Sequence, residues 1–282
     1  MANRKLITLL LFGILLIVNS CDYVDIPDMF VSPSSVNDRY EQSMEWNATH
    51  PFQKINVATE DYLIMNMADS HVGETANFIT FLTASKDKNA TAIVINGDFC
   101  SGHTSDYNTF DAILPPQDSL KSFLTAGNHE LYFDGWSEFY NRYGSSMYYF
   151  SIKTPTTEDM YICLDTGSGT LGSKQLSWFK KLLINERAKY RHCIIFTHVN
   201  LFRSRHTGST NPNMEELYVL LDLFAKYHID MVISGHDHIR YEEKIGNTTH
   251  LSIDALKDGL SNVGYLELHI NNSAVNYTFT DI

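Results

Sequence analysis

Short apolar runs, each of a length that suits one buried strand, recur through much of this 282-residue chain. They lie at 63–67, 92–95, 123–126, 161–164, 193–196 and 231–233. Between several of them, apolar residues repeat every three to four positions, as in amphipathic helices, at 75–84, 174–183 and 214–227. Because buried strands alternate with helices, the sequence predicts a layered α/β domain.

The last part of the chain follows a different pattern. Four strand-like segments, several of them joined by turns rich in Asn and Gly, lie at 241–244, 250–253, 265–270 and 275–279. We therefore expect antiparallel strands after His238.

The first residues of the chain have the features of an export signal. Two basic residues precede an apolar run over 6–18, which is too short to span a bilayer as a helix. The tetrapeptide VNSC at 18–21 resembles the lipobox of bacterial lipoproteins. The resemblance implies a signal peptide over 1–20 and a lipid on Cys21. A plain secretory signal is the alternative, and it would leave this cysteine unmodified.

The segment that follows reads as a connection to the folded domain. Residues 21–55 begin with many Pro, Ser and Asp residues and show no clear period, which predicts a tether. We expect the folded domain to cover 56–282. With a lipid on Cys21, the protein would be an exported lipoprotein anchored to a bacterial membrane, in the periplasm or on the outer cell surface.

Charge and cysteine content exclude several kinds of partner and site. The formal net charge of −12 argues against a large nucleic-acid surface, which needs stripes of Lys and Arg. It does not exclude small phosphorylated substrates, because bound cations reverse the local field. No C-x-x-C pair occurs among the four cysteines, so a zinc site built from thiolates is not expected.

Polar or ionisable side chains follow five of the six apolar runs. They are Asp69, His71, Asp98, Asn128, His129, His198, His236 and His238. The carboxyl ends of strands form the binding crevice of open α/β sheets and hold side chains rigidly. In an extended chain the first and third residues of D-x-H and H-x-H point the same way, so both would reach one centre. Carboxylate, carboxamide and imidazole groups together favour Mn, Fe or Zn.

Five motifs appear in a fixed order between 69 and 238: D-S-H, G-D, G-N-H-E, a lone His after a strand, and G-H-D-H. This order resembles the calcineurin-like metallophosphoesterase superfamily. The resemblance implies a β-sandwich flanked by helices, in α/β/β/α layers, with two metal ions. It assigns one ion to Asp69, His71 and His238, the other to Asn128, His198 and His236, and a bridging position to Asp98.

The same resemblance implies a reaction. Phosphomonoesters or phosphodiesters would be hydrolysed by a hydroxide that bridges the two ions, with small phosphorylated compounds as substrates. His129 would lie beside the phosphoryl group and protonate the leaving oxygen. Purple acid phosphatases carry a Tyr three residues after the bridging Asp, where this chain has Ser101, so tyrosinate-bound iron is not expected.

Two other functions fit parts of the pattern. A non-catalytic lipoprotein could keep a metal site for folding or ligand capture, but such a site does not need His129. A metallopeptidase or amidase is disfavoured because the chain has no H-E-x-x-H. Outside the ligand set, we expect a structural role for Glu130. His103 and His206 lie in Gly- and Ser-rich loops and are candidates for contact with the substrate phosphate.

Overall fold

The computed structural model describes residues 33–50, 52–202 and 214–282, and in these ranges the chain forms two β-sheets covered by helices. The strands are β1 (Gln53–Asn56), β2 (Tyr62–Met67), β3 (Ala92–Asn96), β4 (Ser122–Thr125), β5 (Tyr148–Lys153), β6 (Glu158–Cys163), β7 (Cys193–Phe196), β8 (Met231–Ser234), β9 (Tyr241–Ile245), β10 (Thr248–Ser252), β11 (Gly264–Ile270) and β12 (Val275–Asp281). The helices are α1 (Val36–Thr49), α2 (Ala76–Asp87), α3 (Thr104–Ile113), α4 (Gly135–Tyr143), α5 (Gly172–Glu186) and α6 (Met214–Lys226). Short 3-10 helices cover His129–Asp134 and Arg187–Lys189.

Within each of the two sheets, the strands that carry the motifs are neighbours. One sheet has the order β12-β11-β2-β3-β4, and the other has the order β1-β5-β6-β7-β8-β10-β9. Strands β2, β3 and β4 are mutually parallel, and so are β6, β7 and β8. Their carboxyl ends therefore meet along one edge of the molecule.

Three apolar clusters separate the layers. Ile64 and Val94 from one sheet pack with Ile194 from the other between the two sheets. The outer face of the five-stranded sheet packs on α2, α3 and α4, and the outer face of the seven-stranded sheet packs on α5 and α6. This is the α/β/β/α arrangement that the sequence predicts, and the helices shield both sheets from water.

The predicted tether over 21–55 is wrong for residues 36–55, which belong to the folded domain. Helix α1 starts with a capping box, in which the Ser35 side chain accepts a hydrogen bond from the backbone N–H of Asp38 and that carboxylate accepts one from the N–H of Ser35. Strand β1 pairs in parallel with β5. Residues 1–32, with the predicted signal peptide, Cys21 and the start of the tether, lie outside the described residues.

Helix α1 lacks the apolar periodicity of an amphipathic helix, because polar side chains form much of its buried face. Its buried residues are Val36, Arg39 and Ser43. The guanidinium of Arg39 forms an ion pair of 2.7 Å with Asp165, and both side chains are fully buried. Asp165 follows β6, so this pair joins α1 to the centre of the seven-stranded sheet.

The C-terminal strands depart from the prediction at one pairing. Strands β11 and β12 are antiparallel to each other, and β11 is antiparallel to β2, as expected. Strand β10 is antiparallel to β9 but parallel to β8, since the chain reverses in the hairpin before it joins the seven-stranded sheet. In the described part of the chain, no helix combines the length and the apolar character needed to cross a membrane.

Candidate metal centre

The predicted ligands come together where the two sheets meet. Asp69, Asp98 and Asn128 follow β2, β3 and β4 of the five-stranded sheet. His71 follows β2 together with Asp69, and the histidines at 198, 236 and 238 follow β7 and β8 of the other sheet. The amide of Asn96 ties the sheets together here, because its Nδ2 donates a 3.2 Å hydrogen bond to the carbonyl oxygen of Ile233.

The backbone brings the ligands together by left-handed turns, so the expectation of extended D-x-H and H-x-H segments is wrong. The φ angles are 56° at Asp69, 42° at His71, 51° at Asp98, 68° at His236 and 57° at His238. This region of φ costs an L residue roughly 1–3 kcal/mol, and such residues cluster at functional sites. Tight turns directly after the strands therefore aim the side chains inward, in place of the two-residue repeat of a strand.

The first donor group contains Asp69, His71 and His238. Nε2 of His238 lies 3.3 Å from Oδ1 of Asp69 and 3.3 Å from Nε2 of His71. One donor atom from each of the three residues lies within 4.8 Å of the others. The other carboxylate oxygen of Asp69, Oδ2, accepts a 2.9 Å hydrogen bond from the backbone N–H of His236. This bond holds Asp69 against the turn that follows β8.

The second donor group is deeper and contains Asp98, His198 and His236, with Asn128 beside them. Nε2 of His198 lies 3.2 Å from Oδ2 of Asp98. Oδ1 of Asn128 lies 3.1 Å from the same nitrogen and 3.0 Å from Nδ1 of His236. All four residues are buried.

A third set of neighbouring donors links the first two. It contains His71, Asp98 and His129, again within 4.8 Å of one another. His71 belongs to the first donor group and Asp98 to the second, so the two groups are neighbours. Nε2 of His129 lies 3.9 Å from Oδ2 of Asp98, and the His129 side chain keeps 28% of its surface exposed.

The donor atoms suit divalent cations. Oδ1 of Asp69 is buried and accepts no hydrogen bond, which is costly for a carboxylate oxygen unless a cation satisfies it. Nδ1 of His198 lies 2.8 Å from the carbonyl oxygen of Asn96 and donates to it, so Nε2 faces the centre with its lone pair when the ring is neutral. Imidazole nitrogens and carboxylate and amide oxygens, without thiolate, fit Mn, Fe or Zn.

Charge couples these side chains to one another. Burial lowers the pKa of His198, but the adjoining Asp98 carboxylate outweighs it and raises that pKa to about 10. Burial lowers the pKa of His71 to about 4, against the opposing effect of Asp98. His71 is therefore neutral near pH 7, whereas His198 would release a proton when it binds a cation.

Glu130 is a structural part of the site, as expected from the sequence. Its carboxylate accepts backbone hydrogen bonds from Asp98 (2.7 Å), Cys100 (2.8 Å) and Gly127 (2.7 Å). It thereby joins the loop after β3 to the loop after β4. The loops touch so closely that a Cβ atom at Gly127 would lie 2.5 Å from the backbone nitrogen of Asp98. Only glycine fits there, and this contact fixes the position of Asp98.

Tyr132 is not among the residues predicted from the sequence, but it contacts a predicted ligand. Nδ2 of Asn128 donates a 2.7 Å hydrogen bond to the hydroxyl of Tyr132. The spacing of these two residues does not predict the contact, because they flank a 3-10 helix whose backbone leaves the helical region at Tyr132 (ψ 150°). His103 stacks on Phe133 with ring centroids 4.3 Å apart, and its predicted contact with phosphate stays a prediction. His206 lies outside the described residues.

The family model for calcineurin-like phosphoesterases matches residues 62–240, which is more than half of the chain. This protein belongs to the calcineurin-like phosphoesterase family. The matched range begins at β2 and ends just after His238, so it contains the whole candidate centre. Membership supports the expected phosphoric ester hydrolase and agrees with the donor groups, because this is a family of dimetal enzymes.

Solved structures share the fold of this calcineurin-like phosphoesterase. GAP50, an anchor in the inner membrane complex of Plasmodium, is 14% identical with a TM-score of 0.59, over 78% of this chain and 84% of that one. A dimetal phosphatase from Danio rerio is 11% identical with a TM-score of 0.59, over 78% and 98%. A putative 5′-nucleotidase from Staphylococcus aureus is 15% identical with a TM-score of 0.52, over 78% and 53%. No curated protein sequence matches the chain.

Proposed function

We propose that this protein hydrolyses phosphomonoesters or phosphodiesters at a dinuclear metal centre. One ion would be held by Asp69, His71 and His238, the other by Asn128, His198 and His236, with Asp98 between them. The observation that supports this best is the meeting of three donor groups, which share His71 and Asp98, in a calcineurin-like fold. Mn, Fe or Zn is the expected metal.

Bound ions would supply Lewis acidity, which lowers the pKa of water and offsets negative charge on the phosphoryl group. The side chains of the protein would position the substrate and transfer the proton. His129 is more exposed than the buried His198 and His236, so its ring lies where a substrate enters. Its backbone N–H donates a 2.8 Å hydrogen bond to Oδ1 of Asp98, which fixes the ring beside the centre. We infer that His129 stabilises phosphoryl charge and protonates the leaving oxygen.

Ester hydrolysis by metal-free protein reloaded with Mn, Fe, Zn or Mg tests the reaction, measured as released phenol for the aryl esters and as released phosphate for the nucleotides. The substrates would be an aryl phosphate, a bis-aryl phosphate and nucleotides. We expect metal-dependent turnover of at least one ester class, and we expect Asp98→Asn to abolish turnover and remove most bound metal.

A matched control is Asp230→Asn. The Asp230 carboxylate accepts a 2.8 Å hydrogen bond from the N–H of Cys193, at the opposite end of β7. This variant should keep its metal and its activity. Full turnover by the Asp98→Asn variant, or no metal-dependent turnover of any ester by the parent, contradicts the proposed reaction.

We also propose that the protein acts outside the cytoplasm on small phosphorylated substrates, attached to a bacterial membrane by a lipid on Cys21. The VNSC sequence at 18–21 supports this. Fatty-acid labelling and fractionation in a bacterial host test it. The parent should be labelled and sediment with membranes, and Cys21→Ser should abolish the labelling. Labelling that persists in the variant contradicts the anchor.

A further inference from the structure

A row of aromatic rings leads from the metal centre to the protein surface. The ring centroids of His71 and His129 are 4.4 Å apart, and those of His129 and Tyr132 are 4.6 Å apart. The Tyr132 and Phe133 rings follow at 6.4 Å, and Phe133 stacks on His103 at 4.3 Å with an interplanar angle of 16°. The row therefore starts at a proposed ligand, passes the proposed acid His129, and ends on two exposed rings.

The last ring of the 3-10 helix is exposed at a conformational cost. Phe133 has φ 54° and ψ 34°, which is the left-handed region, and the next residue, Asp134, has φ 61°. A bulky L residue rarely adopts this region. This conformation does not bury the Phe133 ring, because 62% of the surface of this residue is exposed. Strain that places an apolar ring in water beside an active site is typical of a binding role.

The loop of His103 is fixed against the same turn. A Cβ atom at Gly102 would lie 2.9 Å from the carbonyl oxygen of His129, so the backbone of this loop packs directly on the 3-10 helix. The Tyr107 hydroxyl donates a 3.2 Å hydrogen bond to the carbonyl oxygen of Gly135, just beyond Phe133. His103 covers one face of the Phe133 ring, and the high exposure of Phe133 leaves a second surface open to a ligand.

We propose that Phe133, backed by His103, is a stacking platform for the leaving group, and that the substrates are phosphate esters whose leaving group carries a planar aromatic ring system such as a nucleobase. The reaction part of this inference rests on the proposed function. A phosphoryl group at the metal centre with its leaving oxygen at His129 directs the leaving group along the row. Aromatic side chains stack on nucleobases regardless of sequence, since every base has a π face.

The test compares two ligands that carry the phosphate on the same ribose 5-hydroxyl and differ in the base, adenosine 5′-monophosphate and ribose 5-phosphate. Binding to the zinc-loaded protein is measured by calorimetry, and stacking by the upfield NMR shift of the adenine protons. We expect the nucleotide to bind about tenfold more tightly, within the range for base–aromatic stacking. Phe133→Ala should remove most of this preference, and Phe133→Trp should keep it.

A matched control is Phe52→Ala. Phe52 is also an exposed phenylalanine, at 39%, and it packs on Tyr149 beside the edge strand β1. This variant should keep the preference for the nucleotide. Melting temperatures of all variants show whether the fold is intact, and Phe133→Leu separates the loss of a ring from the loss of apolar bulk.

Phosphate release from the same two compounds distinguishes the two proposals. Binding that favours the nucleotide and needs Phe133, without hydrolysis of any phosphomonoester or phosphodiester with any metal, keeps the platform and rejects the hydrolase. Equal binding of the two compounds, or a preference that survives in Phe133→Ala, overturns the platform. Metal-dependent phosphate release in that case leaves the proposed hydrolase standing.

Discussion

Asn128 and Tyr132 are joined by a 2.7 Å hydrogen bond, in which the amide nitrogen of Asn128 donates to the phenol oxygen. Because the nitrogen is held there, Oδ1 of the same amide points the other way, towards His198 and His236. A neighbour that is not itself a proposed ligand thereby fixes which atom of Asn128 faces the centre.

Tyr132→Phe should weaken metal binding at the site of Asn128, His198 and His236. Without the hydroxyl, the amide can rotate and present its nitrogen, which does not bind a cation. Loss of such a supporting contact typically costs about 10–100-fold in metal affinity or activity. Competition with a metal chelator measures the affinity, and phosphate release measures the rate.

The control for this change is Tyr140→Phe. The Tyr140 hydroxyl donates a 3.2 Å hydrogen bond to the carbonyl oxygen of Gln42, so the variant loses a comparable bond between α4 and α1. Unchanged metal affinity in Tyr132→Phe would show that the hydroxyl does not orient Asn128.

His129→Ala should keep the metal content of the parent and lose rate. The loss should be largest for esters with poor leaving groups, because these depend most on protonation of the leaving oxygen. Rates for a series of aryl phosphates of rising phenol pKa measure this, as a steeper dependence in the variant. His269→Ala, which removes a half-exposed ring next to Glu267, is the control. Parallel dependences in parent and variant would argue against a proton donor at this position.

The order of strands and motifs could be predicted from the sequence because the strands carrying it are buried on both faces. Runs such as 92–95 and 193–196 therefore consist of apolar residues that stand out against their surroundings. Helix α1 could not be found in this way. Its buried positions include Ser43 and Arg39, and the partner of Arg39, Asp165, lies 126 positions away in the chain.

Which side chains meet at the candidate centre could be predicted from the motifs, but the geometry that brings them together could not. The motifs indicate which residues belong together, since each follows a strand. The left-handed turns at Asp69, Asp98 and His236 depend on contacts with the neighbouring loops, such as the bond from the N–H of His236 to Asp69. Sequence patterns of period two or 3.6 carry no information about such turns.

Arg39→Met should destabilise the protein strongly. The variant leaves the buried Asp165 carboxylate without its partner, which typically costs about 3–5 kcal/mol. Urea unfolding measures the change. Lys174→Met removes the exposed ion pair with Glu41, which joins α5 to α1, and should cost about 1 kcal/mol or less. Similar effects in both variants would contradict a stabilising role for burial of the Arg39 pair.

His250 should make folding stability depend on pH. Burial lowers the pKa of this ring to about 4, and the aromatic rings of Phe202 and Phe224 lie against it. In the unfolded chain an ordinary histidine is protonated below about pH 6.5. In the folded protein the His250 ring is protonated only below about pH 4. The group therefore has no effect above pH 6.5 and destabilises the fold increasingly between these two values, by up to about 3 kcal/mol.

Unfolding in urea at several pH values tests this prediction. His250→Leu should lose less stability than the parent as the pH falls from 7 to 4. His269→Leu, at a half-exposed ring, should follow the parent. Identical pH dependence in the parent and the His250→Leu variant would show that the His250 ring does not cause the loss of stability at low pH.

The proposed ligands come from both sheets, four from the turns after β2, β3 and β4 and three from the turns after β7 and β8. Ions bound there would cross-link the five-stranded sheet and the seven-stranded sheet. Each ion at a free concentration of 100 times its dissociation constant would add about 2.7 kcal/mol to the free energy of unfolding. The melting temperature of this protein would then report how much metal it carries, and chelation would expose it to heat and proteolysis before any substrate is added.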